Sequence, residues 1–376
     1  MCRRRVKQFL GRPIRVPLVA LLATLVLGKA QTAFAQGCVA SRGTGMTPGQ
    51  HGVQLEGGEA PAPTSGFQGS VGYRWLHSDR MFSHDVEQTQ READGSQEIN
   101  DSNFIDLGIR YDFTPRFSAT FTVPFSVHDR SQVVRALNLQ RTILDRFHTH
   151  SAGIGDIRLE GNAWTLNPKE HAKGNALFGV GISAPTGDRD VKDTFEFSDF
   201  ASRILARQQT VDQSIQLGNG GWGVILDLYA YREIAPRLNG FVNGSYTMTP
   251  EEKYSPSASP VEFGDYSIAD SYMGRGGFEY LVWPKVSLAF SLAGRIDGVP
   301  VHDLVGGSEG FRRPGYAVSI EPGVSLAVNS WSFSVNTPVA LYRNRQQSVL
   351  EQALGMAPVA AGFADFVVTC SVTKKF

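Results

Sequence analysis

Cysteine is nearly absent, with three in 376 residues. Cys2 falls in a leader that is expected to be removed, so Cys38 and Cys370 remain. Two thiols rule out a disulfide scaffold. Cys38 belongs to a periplasmic segment and Cys370 to a lipid-facing position, so no bridge between them is expected. Long apolar runs are lacking as well. After residue 35 no stretch approaches the roughly 20 apolar residues that a membrane-crossing helix requires. A basic surplus is also missing. Residues 1–35 hold seven Lys and Arg (3, 4, 5, 7, 12, 15, 29) and no Asp or Glu. Taking those seven from 36 leaves 29 against 36 acidic residues, a net of about −7, so a nucleic-acid partner is not expected. No Gly-rich loop leads into a helix to cradle a phosphate, and no cofactor is expected.

The amino terminus has the layout of a cleaved export signal, residues 1–35. A basic start precedes an apolar run, Pro17 to Gly28, which ends at the small-residue site Ala33-Phe34-Ala35. Residues 36–65 are rich in Gly, Pro and Ala and carry no periodicity, as in a flexible periplasmic segment.

From residue 66 onward, apolar and polar residues alternate. Phe67, Gly69, Val71, Tyr73 and Trp75 share one face, with Gln68, Ser70, Gly72 and Arg74 opposite. Ile105, Leu107, Ile109, Tyr111 and Phe113 lie opposite Asp106, Gly108, Arg110 and Asp112. The pattern recurs through about twelve segments of roughly ten residues, the length a tilted strand needs to cross a bilayer. The connections alternate in length. Long ones span 77–102, 129–152, 186–217, 249–265, 298–315 and 343–362; short ones span 114–116, 167–174, 234–237, 283–285 and 329–330. A soluble sandwich has no reason for that alternation. These features predict an all-β fold, a closed antiparallel transmembrane β-barrel over 66–376, with long extracellular loops and short periplasmic turns. They place it in the outer membrane of a Gram-negative bacterium, with outer-membrane lipid as its surroundings. The last strand ends on Phe376 and resembles the insertion signal read by the outer-membrane assembly machinery. Lys374 departs from that pattern.

The polar parity carries Arg74, Asp106, Arg110, Asp112, Asp156, Arg158, Glu160, Asp227, Arg275, Glu279, Arg295, Asp297 and Glu321. On the lipid side each would cost a few kcal/mol near the midplane, so these thirteen are read as pore-lining. In a wet lumen each pair would be worth about 0–1 kcal/mol, and the charges would tune passage rather than hold the fold.

Other polar clusters give weaker signals. Ser126 and His128 share the inward parity, the wrong face for a lipid-cleaving enzyme, and no enzymatic activity is expected. Asp188, Asp190, Asp193, Glu196 and Asp199 crowd one outer loop without the spacing of a calcium loop. His148 and His150 lie two apart with no third ligand evident, so no metal site is expected.

Three short motifs carry a resemblance: Gly153-Ile154-Gly155-Asp156, Ala184-Pro185-Thr186-Gly187-Asp188 and Gln216-Leu217-Gly218-Asn219-Gly220. With them the chain resembles the outer-membrane transporter family grouped with the meta-cleavage pathway of phenol degradation. The resemblance spans most of the chain after the leader. It implies a barrel that passes small solutes, aromatic or hydrophobic ones among them. The alternative is a structural or surface-interaction barrel with a closed lumen.

Overall fold

The computed structural model describes residues 66–138, 140–258 and 264–376. The export signal, the segment 36–65 and Cys38 lie outside the described residues. Twelve antiparallel strands close into a barrel: β1 (Gly66–Ser78), β2 (Ile99–Asp112), β3 (Phe117–Arg135), β4 (Ile143–Ile154 and Ile157–Trp164), β5 (Gly174–Ala184), β6 (Gly223–Ala235), β7 (Leu238–Met248), β8 (Ser271–Trp283), β9 (Leu288–Val299), β10 (Gly315–Val328), β11 (Trp331–Asn336 and Val339–Arg345) and β12 (Val367–Lys375). β12 closes the wall on β1, from Gln68↔Lys375 to Leu76↔Val367. The wall thereby has no free edge, the condition for a sheet to sit in hydrocarbon.

The side chains divide as the alternation requires. Phe67, Leu107, Ile109, Phe121, Val180, Leu226, Val242, Phe278, Phe290 and Phe333 are exposed on the outside. Phe113, Phe117, Trp283, Trp331 and Phe376 are also exposed and stand beside the periplasmic turns, as an interfacial aromatic belt. Lys374 shares this outer face, and its ammonium lies 5.0 Å from the Trp331 ring centre and 4.9 Å from that of Phe376. A cation at the membrane edge that leans on two rings accounts for its departure from the apolar pattern. Cys370 pairs with Tyr73 and Val335 across the sheet, is free, and stands on the lipid side.

The largest departure from the expected boundaries falls between β3 and β4. Residues 129–152 were expected to be a loop, yet β3 continues to Arg135 and β4 begins at Ile143, leaving only 136–142 as the connection. At roughly 3.3 Å per residue the 19 residues of β3 span about 60 Å, well beyond a tilted bilayer crossing. Above the membrane the outer face meets water, so the apolar marker that betrays a lipid-facing strand stops while the hydrogen bonding continues.

The two split strands are the irregular points of the wall. Both pieces of β4 pair with β3, and Pro124 faces the break. Gly155 N–H donates to the Pro124 carbonyl at 2.9 Å, while proline has no N–H to return. Only the lower piece of β4 also pairs with β5. In β11 the break falls at Thr337-Pro338, and a bulge at Leu341 turns Arg343 and Arg345 inward.

The outer loops fold over the mouth around an apolar core of their own. Val134, Phe147, Phe195, Val211, Ile215, Tyr254, Tyr266, Ile268 and Phe311 form one buried cluster.

Candidate functional site: the lumen and its loop clasp

The thirteen polar-parity residues face the barrel interior, and most gather into groups. Asp106 lies between Arg158, at 3.0 Å, and Arg74, at 3.6 Å. Arg110 Nε donates to Asp112 at 2.7 Å, and Gln68 donates to the other carboxylate oxygen at 2.5 Å. Glu321 bridges Arg275, at 2.5 Å, and Arg295, at 3.2 Å; Arg295 also holds Asp297. Arg275 and Arg295 are directly opposite across β8 and β9. Two like charges so placed repel, and the carboxylates of Glu321 and Asp297 offset that repulsion. Glu160 on β4 and Asp227 on β6 are diagonal neighbours across β5, and Glu279 stands between Asn239 and Ser291 in the wall.

The expectation of a wet ladder needs correcting. Arg110, Asp112, Glu160, Arg275, Asp297 and Glu321 are buried. The barrel is narrow, and facing strands bring long side chains together, so several of these pairs are desolvated. Removing one partner then strands a charge, which costs a few kcal/mol rather than a fraction of one.

Asp156 has a different role from its neighbours. Its Oδ1 accepts the Gly187 N–H at 3.0 Å and its Oδ2 accepts the Asn219 N–H at 2.6 Å. Thr186 Oγ1 donates to the Gly155 carbonyl at 2.8 Å and accepts the Ile157 N–H at 3.0 Å. Leu217 and Gly218 N–H groups donate to the Asp188 carbonyl, both at 3.1 Å. The three sequence motifs therefore converge on the break in β4, where they clasp the inner arm of the 185–222 loop against the wall. The glycines are there for contact. A Cβ on Gly153 would lie 2.8 Å from Leu217 Cδ1, and one on Gly218 would overlap the Gly187 carbonyl oxygen.

Beneath the clasp is a cavity of about 110 Å³, bordered by Arg74, Phe104, Pro124, Arg158, Glu160, Leu217 and Asn219 among others. Further toward the periplasm the interior is aromatic. Trp164, Leu177, Tyr229, Tyr231, Phe241 and Ala293 form a buried cluster. Trp164 meets Tyr229 and Tyr231 edge-on at 6.3 and 6.2 Å, and the Arg275 guanidinium lies 5.7 Å from the Phe241 ring centre. None of these four aromatic residues is among the thirteen polar-parity positions. Parity could have found all four, because Trp164 alternates in step with Arg158 and Glu160, Tyr229 and Tyr231 with Asp227, and Phe241 lies opposite the outward Val242.

Above the clasp, Asp212 sits between Arg313, at 3.2 Å, and Arg130, at 3.9 Å, all three buried. Burial alone would raise the Asp212 carboxyl pKa; the two guanidiniums outweigh it and hold the value below the usual carboxylate range. Nearby Glu98 is buried with weaker compensation, and burial pushes its pKa up.

The remaining candidates are accounted for individually. Ser126 and His128 point inward and are buried, and His128 Nδ1 lies 2.8 Å from Ser102 Oγ. The acidic loop disperses: Asp190 accepts from Thr210 and Ser257, Asp199 holds Arg203, and Asp193 reaches His150. Asp129, the cross-strand partner of His150, lies 2.9 Å from a ring nitrogen of each of His148 and His150.

A closed wall, an outer apolar band and a polar interior define the class: an outer-membrane β-barrel. No family model and no curated protein matches the sequence. Among solved structures, the chain is similar to an outer-membrane channel from Pseudomonas putida F1, with a TM-score of 0.51 and 14% identity over 84% of this chain and 97% of that one. At that identity the likeness is one of fold. Fainter similarities reach a FadL homologue of Pseudomonas aeruginosa (TM-score 0.39, 8% identity, 84% and 92% covered) and the toluene transporter TodX of P. putida (0.40, 8%, 85% and 93%).

Proposed function

We propose that the protein is an outer-membrane channel for small solutes, with hydrophobic or aromatic compounds as the class it carries. The observation that carries this reading is the inward cluster of Trp164, Tyr229, Tyr231 and Phe241 beside the charged ladder, beneath a mouth covered by the outer loops, one of them clasped to the wall. Ring faces and edges suit a flat apolar solute. Both the meta-cleavage resemblance and the P. putida F1 fold similarity agree with this reading. The folded cap over the mouth favours a second reading, a closed structural barrel. Liposome swelling separates the two. The channel reading expects faster uptake of benzyl alcohol than of a sugar of similar mass, with that preference lost in the Tyr229→Ala/Tyr231→Ala double variant. Liposomes that swell with neither solute, together with silence in planar bilayers, would establish the closed barrel.

We propose further that the assembly machinery engages the protein through β12. Phe376 ends that strand, is exposed, and donates its N–H to the Phe67 carbonyl at 3.0 Å. Deleting Phe376 is expected to leave heat-modifiable protein in the outer membrane scarce, at a tenth of the usual amount or less; an unchanged yield would refute the assignment.

A further inference from the structure

We infer that Asp129, His148 and His150 form a binding site for a zinc-class divalent cation on the outside of the barrel, just above the apolar band. Register builds the site. Asp129 on β3 stands directly opposite His150 on β4, and His148 is two residues along the same face. Val127 and Ala152, the next outward pair toward the periplasm, belong to the apolar band, so the site lies at its rim.

The distances suit a metal. Asp129 Oδ1 is 2.9 Å from His148 Nδ1, and Asp129 Oδ2 is 2.9 Å from His150 Nε2. One ligand atom from each residue falls within 4.8 Å of the other two. Around tetrahedral zinc, ligand atoms stand about 3.4 Å apart, so a small outward rotation of the rings admits the ion. Two imidazoles and a carboxylate leave a fourth position for water.

A second observation points the same way. His150 directs both ring nitrogens at carboxylates, Nε2 at Asp129 and Nδ1 at Asp193 Oδ2, 3.2 Å away. A neutral imidazole has one N–H, so it can donate to only one of them. With Nδ1–H donated to Asp193, Nε2 presents a lone pair toward Asp129 that a cation between them would satisfy. Asp193 also accepts the His150 backbone N–H at 2.7 Å, which fixes that carboxylate in place. A carboxylate on the far nitrogen of a histidine ligand sets its tautomer and raises its basicity. Because the rings are exposed, the site is open to ions in the medium.

The site also has a mechanical consequence. The upper piece of β4 pairs with β3 alone. Asp193 opens the loop hairpin formed by Lys192–Ser198 and Ile204–Thr210, so a bound ion ties β3, β4 and that hairpin together beside the clasp.

The test uses the folded, full-length mature protein in detergent, without a histidine tag, stripped with EDTA and titrated with zinc chloride by calorimetry. One zinc per chain is expected. The His148→Ala and His150→Ala variants should each lose at least 100-fold in affinity, Asp193→Asn should lose 10- to 100-fold, and His171→Ala, in a periplasmic turn, should match the native protein. The three histidines are exposed and Asp193 is half-buried, and heat-modifiability of each variant checks its fold. No zinc uptake by the native protein, or equal uptake by the His148→Ala/His150→Ala double variant, would overturn the site.

Discussion

Gly218→Val is expected to release the inner loop and raise single-channel current. The new Cβ would overlap the Gly187 carbonyl oxygen and lie 2.7 Å from Asp156 Oδ1. Both are fixed: one belongs to backbone, and the other already accepts the Gly187 N–H. The clash can be relieved only by separating 187 from 218, which takes Asn219 away from Asp156. Two hydrogen bonds to a charged acceptor are then at stake, about 3–6 kcal/mol together. The wall itself does not change, because none of the strand pairing passes through Gly218. Heat-modifiability should therefore persist while current rises several-fold and the 185–222 loop becomes sensitive to trypsin. Asp156→Ala should act in the same direction. Native current and a native cleavage pattern in both variants would show that the clasp does not hold the mouth.

Arg275→Met is expected to lower the stability of the barrel by about 3–5 kcal/mol, the cost of leaving a buried charge with too few partners. Arg275 and Glu321 side chains are each 2% exposed. Arg275 also donates to Asn243 at 3.3 Å and lies over Phe241, so its loss loosens the aromatic cluster as well. The readout is the temperature at which the compact electrophoretic form disappears. Arg203→Ala, which removes an exposed partner of Asp199, should leave that temperature unchanged. An Arg275→Met barrel as heat-resistant as the native one would mean that water reaches this group and that the wet-lumen expectation was sound.

Much of the wall was legible because lipid imposes a rule on every second residue. Ile105, Leu107 and Ile109 must be apolar where they touch hydrocarbon, and the period of two then fixes which way Asp106 and Arg110 point. The rule lapses wherever lipid does. From Asp129 to Arg135 the outer face meets water, so the strand continues without the apolar marker and has the sequence character of a loop. It lapses inside too: Tyr229 and Tyr231 look like membrane-belt residues in composition, and only their parity with Asp227 sets them in the lumen.

The sequence alone determined the barrel, its orientation and the inward parity of its charges, because these follow from local alternation and from the lengths of connections. Which charges pair, and whether water reaches them, depended on the curvature that brings facing strands together. Arg275 and Glu321 are 46 positions apart. The same holds for the clasp, where Asp156, Gly187 and Asn219 meet only after a loop turns back into the barrel, and for Asp129, which joins His148 and His150 only through strand register. Long-range contacts of this kind leave no periodic trace along the chain, so the tertiary structure alone decided them.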